Sequence, residues 1–126
     1  MNRSSMATMN QLNNPARFNK IVQFEEVKQV QNESGHWVDD WVKSDLGTTY
    51  AQIRNIRGNE FIMAGAKQAE ISARINTRYR KDVEDKYYEL GEKLRLTHKN
   101  RVFEIEYMNN LEERNAEFEF IVNEVR

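Results

Sequence analysis

Over residues 71–80 apolar and polar positions alternate without a break. Ile71, Ala73, Ile75, Thr77 and Tyr79 fall on one side, and Ser72, Arg74, Asn76, Arg78 and Arg80 on the other. Successive side chains of a strand point to opposite faces, so the run predicts a half-buried β-strand with a wet, basic outer face. At helical spacing the same residues would spread arginines and apolar groups around the whole circumference and leave no face to bury. Two further runs, 94–98 and 101–107, flank Lys99-Asn100, a two-residue turn in which Asn tolerates positive φ. That hairpin sets Leu96 opposite Phe103 and Leu94 opposite Ile105 on one face, with Arg95 opposite Glu104 and Lys93 opposite Glu106 on the other. A slip of one residue would oppose apolar to charged side chains throughout, so both faces favour the same register.

The rest of the chain continues the β pattern. Ile21-Val22-Gln23-Phe24 followed by Glu25-Glu26-Val27 changes phase, which predicts a strand over 18–30 with a bulge near Glu25 that flips the facing of the residues after it. Gln31 to Gly35 reads as a turn, and residues 36–46 carry Trp37 and Trp41, expected to pack in the core or at its edge. An exposed pair would instead mark a partner surface. Period two resumes from Thr48 to Ile56. Residues 58–68 interrupt it: Asn59 suits a cap, Glu60, Met63, Ala64, Ala66, Lys67 and Gln68 favour helix, and Gly65 weakens it, so a short helix or a loop is expected. Lys81 to Gly91 is a charged connection containing a helical turn, and Asn109 to Asn115 a loop. The last strand sets Ala116, Phe118, Phe120 and Val122 against Glu117, Glu119, Ile121 and Asn123.

The polar, unperiodic start of the chain reads as an arm that is disordered in isolation. This divides the chain into a flexible arm, 1–16, and a single domain, 17–126. The expected fold is all-β, a small antiparallel barrel or sandwich of about six strands with one short helix or loop excursion. Its core is expected to draw on Trp37, Ile71, Ile75, Leu94, Leu96, Phe103, Ile105, Phe118 and Phe120.

Composition narrows the function. A chain of 126 residues, 39% hydrophobic and 31% charged, suits one domain with a well-solvated surface. No apolar run approaches the roughly 18 residues that span a membrane, and the N-terminus lacks a signal-peptide core, so a membrane is not an expected partner. A net charge of -1 argues against a general electrostatic grip on nucleic acid. The absence of cysteine excludes disulfides, thiolate zinc sites and a cysteine nucleophile. His36 and His98 have no companion constellation, and Asp39-Asp40, Asp82 and Glu84-Asp85 lack metal-loop spacing. Phosphate-binding glycine loops, nucleophile elbows and His-Glu-x-x-His are missing too, so no catalytic residue, metal or cofactor is expected, and the composition fits binding or assembly better than catalysis.

The ordered set Gly35, Trp37, Trp41, Tyr50-Ala51, Gly58-x-Glu60, Arg78-Tyr79-Arg80 and Arg101-Val102-Phe103-Glu104-Ile105 resembles the bacteriophage head-tail joining family, also called stopper or head-completion proteins. The likeness runs from Phe18 to about Val125. Tyr50 stands where the family often has Trp, and the polar arm before Pro15 is longer than usual. The resemblance implies a structural virion protein and not an enzyme: a small β-barrel that forms a dodecameric ring below the portal and adaptor and closes the channel after packaging. Its ring would let double-stranded DNA pass with weak contact, and would offer the tail terminator or tail tube a docking surface. The implied location is the virion neck, at the head-tail interface, after assembly in the host cytoplasm.

A ring subunit needs head-to-tail contacts on two different faces. The basic face near Arg74, Arg78 and Arg80 and the acidic face near Glu117 and Glu119 are the candidates, against the alternative that both are solvated rows. The candidate channel segment is the excursion holding Gly58, Glu60, Phe61, Ile62, Met63, Ala64, Gly65, Ala66, Lys67 and Gln68, where small residues let several copies crowd an axis. Its alternative is a helix that covers the barrel's open end through Phe61 and Ile62. Two competing functions are a tail-completion or terminator ring protein and a single-stranded nucleic-acid-binding barrel. The second should show aromatics on a basic strand face, where this chain has Ser72 and Asn76 between its arginines.

Overall fold

The computed structural model describes residues 15–55 and 71–125, without the side chains of Pro15, Ile71 and Ser72. They form β1 (Lys20–Gln31), β2 (Trp37–Asn55), β3 (Ile71–Arg78), α1 (Lys81–Leu90), β4 (Leu94–His98), β5 (Arg101–Asn110) and β6 (Glu117–Val125). The six strands close into a barrel in the order β1-β2-β3-β6-β5-β4, and each pair of neighbours is antiparallel. The all-β expectation therefore holds. The candidate channel segment, Gly58 to Gln68, and arm residues 1–14 lie outside the described residues, as does the side chain of Ile71.

Alternation in the sequence becomes inside and outside of the barrel. Ala73, Ile75 and Thr77 of β3 are buried, with Phe118, Phe120 and Val122 of β6 beside them. Val22, Phe24, Leu94, Leu96, Phe103 and Ile105 complete an interior of packed side chains, so the barrel is a filled core and not a pore. The β4–β5 register runs from Arg95↔Glu104 through Leu96↔Phe103 to His98↔Arg101, as the apolar and charged pairs predict. Positive φ falls on Lys99 (54°) and not on Asn100. The ladder with β5 ends at Arg95↔Glu104, so the expected Leu94–Ile105 and Lys93–Glu106 pairs are not part of it: Leu94 keeps only its β1 partner, Glu26, and Lys93 belongs to a 3-10 turn, Gly91–Lys93.

The irregularity expected near Glu25 is present, between Gln23↔Thr48 and Glu25↔Lys43. The extra residues, however, belong to β2. Ser44 to Gly47 bulge opposite Phe24, Gly47 takes a φ of 72°, and Leu46 turns into the core. Strand β1 keeps its phase, so Val22, Phe24 and Glu26 all point inward, and the predicted flip in facing does not occur.

In the ring β3 and β4 stand three strands apart in either direction, so the chain joining them must cross the barrel's mouth. Helix α1 makes that crossing over about 15 Å. Its apolar stripe is Val83, Tyr87 and Leu90, at i, i+4 and i+7, with Val83 fully buried on the core and the other two packed against it. The single helical turn expected here is thus a ten-residue helix. It covers this mouth of the barrel.

Strand β4 pairs with β1 only from Gln23 to Glu26, and β3 pairs with β2 only from Ala51 to Asn55. Residues 27–31 and 37–42 consequently continue beyond the barrel as a two-stranded ribbon, from Val27↔Trp41 to Gln31↔Trp37. Its turn is held by Asn32, whose side-chain oxygen accepts from the backbone N–H groups of Ser34 and His36 at 3.0 and 2.9 Å. Trp37, expected in the core, is 66% exposed at the tip of this ribbon. The pairing outruns the neighbouring strands, so among the described residues no second layer lies beneath it. Trp41 is half-buried, with the Arg95 guanidinium 4.2 Å from its ring.

Candidate functional site

Strand β3 pairs with β6 through Arg78↔Glu117, Asn76↔Glu119 and Arg74↔Ile121. The basic and acidic rows therefore run side by side on one outer surface. The chain leading into β1 crosses this surface: Arg17, in a 3-10 turn at Pro15–Arg17, donates to both carboxylate oxygens of Glu117 (2.6 and 2.8 Å) and to Gln52 Oε1 (2.9 Å). Phe18 is buried beside it, with the Arg78 guanidinium 5.4 Å from its ring. Asn76 donates to Glu117 at 2.8 Å, and Arg54 donates to Asn76 Oδ1 and Glu119 Oε2, both at 2.9 Å. Asn76 and Glu117 end 1% and 5% exposed, although both lie on the outside of the barrel. Bidentate arginine on carboxylate is the geometry in which a surface ion pair is strongest.

Arg80 is committed elsewhere. It pairs with Asp82 at 2.7 Å and donates to the backbone oxygens of Leu46 (2.9 Å) and Thr48 (3.3 Å), capping the edge of β2 where β3 no longer pairs with it. Arg74 differs from Arg17, Arg54 and Arg80, which hold carboxylates, and from Arg78, whose guanidinium lies over the Phe18 ring. It is exposed, directly opposite Arg54 on β2, and has no hydrogen-bond or ion-pair partner among the described residues. A bulge between Ile105 and Tyr107 turns Met108 inward and leaves Tyr107 outward, 58% exposed, opposite Ile121. Arg74, Ile121 and Tyr107 thus form one row across β3, β6 and β5.

The mouth under α1 holds the buried carboxylate of Glu26. Ser44 Oγ donates to it at 2.6 Å, and Lys28 and Lys86 stand 3.4 and 3.7 Å away, the latter on α1. Burial pushes this carboxyl up, but the Ser44 hydrogen bond and the two ammonium groups outweigh it and hold it below its usual range. Nearby, burial and then the Glu84 carboxylate, 3.1 Å from its hydroxyl, push Tyr79 up. Among the described residues no group of three or more His, Cys, Asp or Glu is placed to hold a metal ion, and no helix is long and apolar enough to cross a membrane. His36 is exposed at the ribbon turn, and His98 Nδ1 lies 2.8 Å from the Ile21 carbonyl oxygen.

The ribbon has two faces. Trp37, Asp39 and Trp41 share one with Gln31, Gln29 and Val27; Val38 and Asp40 share the other with Val30 and Lys28. Beyond the barrel its outer edges have no strand partner among the described residues, an arrangement open to another chain. The pattern of the sequence does not single out Arg17, Gln52, Asp39 or Tyr107. Arg17 and Glu117 are 100 residues apart, and no local signal joins them.

Residues 14–125 match the model of a family described as phage head completion proteins. The fold is similar to the solution structure of protein SF1141 from Shigella flexneri 2a: 21% identity, 88% of this chain and 96% of that one covered, TM-score 0.57. It is also similar to a chain in the virion of a native gene transfer agent particle, with 16% identity, 86% and 96% covered, and a TM-score of 0.55. No curated protein matches the chain by sequence.

Proposed function

Because the chain belongs to the phage head completion protein family, and is thereby a structural component of a phage virion, we propose that it is the ring-forming stopper of the neck, which closes the portal channel after DNA packaging. The family match over residues 14–125 carries this reading. The filled barrel adds a constraint: DNA has no path through one subunit, so a channel has to run between several. A chain of net charge -1 suits passage, since many phosphate contacts would retain the DNA. The likeness to a chain of a gene transfer agent virion agrees with a particle part of this kind.

In this proposal twelve copies sit between the portal-adaptor ring above and the tail terminator or tail tube below, and they provide the tail's attachment surface. Residues 58–68 are the proposed channel segment. Asn55 and Ile71, which flank it, lie at the barrel mouth opposite α1, so its copies would gather at one pole of the ring. The test is a stop codon early in the gene, with electron microscopy of the lysate and measurement of DNA retained in heads. Heads that have packaged and lost their DNA beside complete, unattached tails are expected. Stable full heads with abnormal tails would move the protein to a tail-completion or terminator role, and normal virions would sink both.

A further inference from the structure

We propose that the ribbon of residues 27–42 is the donor half of a head-to-tail contact between copies of this chain, and that its Trp37-Asp39-Trp41 face docks on the Arg74-Ile121-Tyr107 row of the next copy. The inference rests on the proposed ring and adds to it which surfaces meet.

A two-stranded ribbon is marginally stable in water by itself, and among the described residues this one has no layer beneath it. It nevertheless exposes Trp37, and aromatic groups concentrate at the centre of protein interfaces. Asp39, between the two tryptophans, has no hydrogen-bond or ion-pair partner among the described residues.

The same chain carries the complement. Like charges directly opposite on neighbouring strands repel, and Arg54 and Arg74 are such a pair. Glu119 and Asn76 answer Arg54; no described residue answers Arg74. Beside it Ile121 and Tyr107 offer an apolar, aromatic floor. Glu117 and Glu119 do not supply the missing anion, because Arg17 and Arg54 hold them within the chain. An aspartate between two tryptophans thus matches a lone arginine beside a tyrosine and an isoleucine.

Placement fits as well. In the ring of strands β6 is opposite β1, and β5 is opposite β2. The ribbon grows from β1 and β2, whereas the Ile121-Tyr107 floor is on β6 and β5, so donor and acceptor sit on opposite sides of each subunit. Two different patches on opposite sides repeat into a closed ring or a filament, whereas a two-fold contact would use the same patch twice.

The absence of cysteine allows a clean test. Asp39→Cys and Arg74→Cys are introduced into one chain, which is then the sole source of the protein in assembled particles, and a short bismaleimide is added. A ladder of linked subunits is expected from the double variant, and no ladder from either single variant. Charge exchange gives the second measurement: Asp39→Arg and Arg74→Asp should each lower the yield of complete particles by at least about tenfold, since like charges brought together oppose association. Combined, they should restore most of it. Both sites are exposed, so neither substitution should lower the thermal midpoint of the purified variant, and Arg74→Asp, which replaces a repulsive pair with Arg54 by an attractive one, should raise it slightly. Rings visible in the particles without cross-linking or charge rescue would overturn this contact while leaving the ring intact. Particles holding a single copy of the chain would overturn both.

Discussion

Glu26 points into the barrel, where burial alone would favour the protonated acid, yet Ser44, Lys86 and Lys28 hold it ionised. A carboxyl whose folded pKa lies below its unfolded value contributes stability that is present above the unfolded value and lost as pH falls through the folded one. Urea denaturation should therefore show stability declining as pH falls through and below the usual carboxylate range, and Glu26→Gln should flatten part of that decline. An acid limb identical in the variant would mean that other carboxylates set it. Arg17 poses a complementary case on the outer surface. Arg17→Ala removes both guanidinium hydrogen bonds from the buried Glu117 carboxylate while the one from Asn76 stays, and should cost about 1–3 kcal/mol in the same measurement. Period two correctly places Asn76 and Glu117 on the outer face. It does not show that a residue from the start of the chain covers them, because alternation reports which way a side chain points and not what arrives above it.

Elements differ in how openly they are written. The β4–β5 hairpin is legible because its two faces demand the same register independently, one by apolar pairs and one by charge. In α1 the signal exists, at Val83, Tyr87 and Leu90, but it is three residues in a charged stretch and emerges only once the connection is known to cross a mouth. The β1–β2 ribbon is the opposite case: its strands are legible, but the sequence carries no mark of where β4 and β3 stop pairing with them. Residue type alone therefore assigns Trp37 to a core that ends before it. If the ribbon is external to the core, replacing Lys28 to Asp40 by a two-residue Asn-Gly turn should leave the thermal midpoint within a few degrees of wild type. Phe103→Ala, deep in the barrel, should by contrast cost about 3–5 kcal/mol. A ribbon deletion as damaging as the Phe103 change would show that the ribbon supports the fold.

At the scale of the whole molecule, closure depends on β6, the sixth strand along the described chain. The ring order places β6 between β3 and β5, so the first five strands alone form an open sheet, β3-β2-β1-β4-β5, with an unpaired edge at each end. Residues 1–115 should accordingly be soluble only in part and self-associate on gel filtration. A separate peptide of residues 116–126 should restore a monodisperse, cooperatively melting complex; failure to do so would indicate that the open sheet has already collapsed into another pairing. The same order has a consequence during synthesis. While the ribosome still covers β6, the nascent chain cannot become a barrel, and its pairings of distant segments make folding slow, in the range of milliseconds to seconds. Until β6 emerges and inserts, the nascent chain carries two adhesive edges for which chaperone, protease and neighbouring nascent copy compete, and insertion of that one strand removes both edges at once.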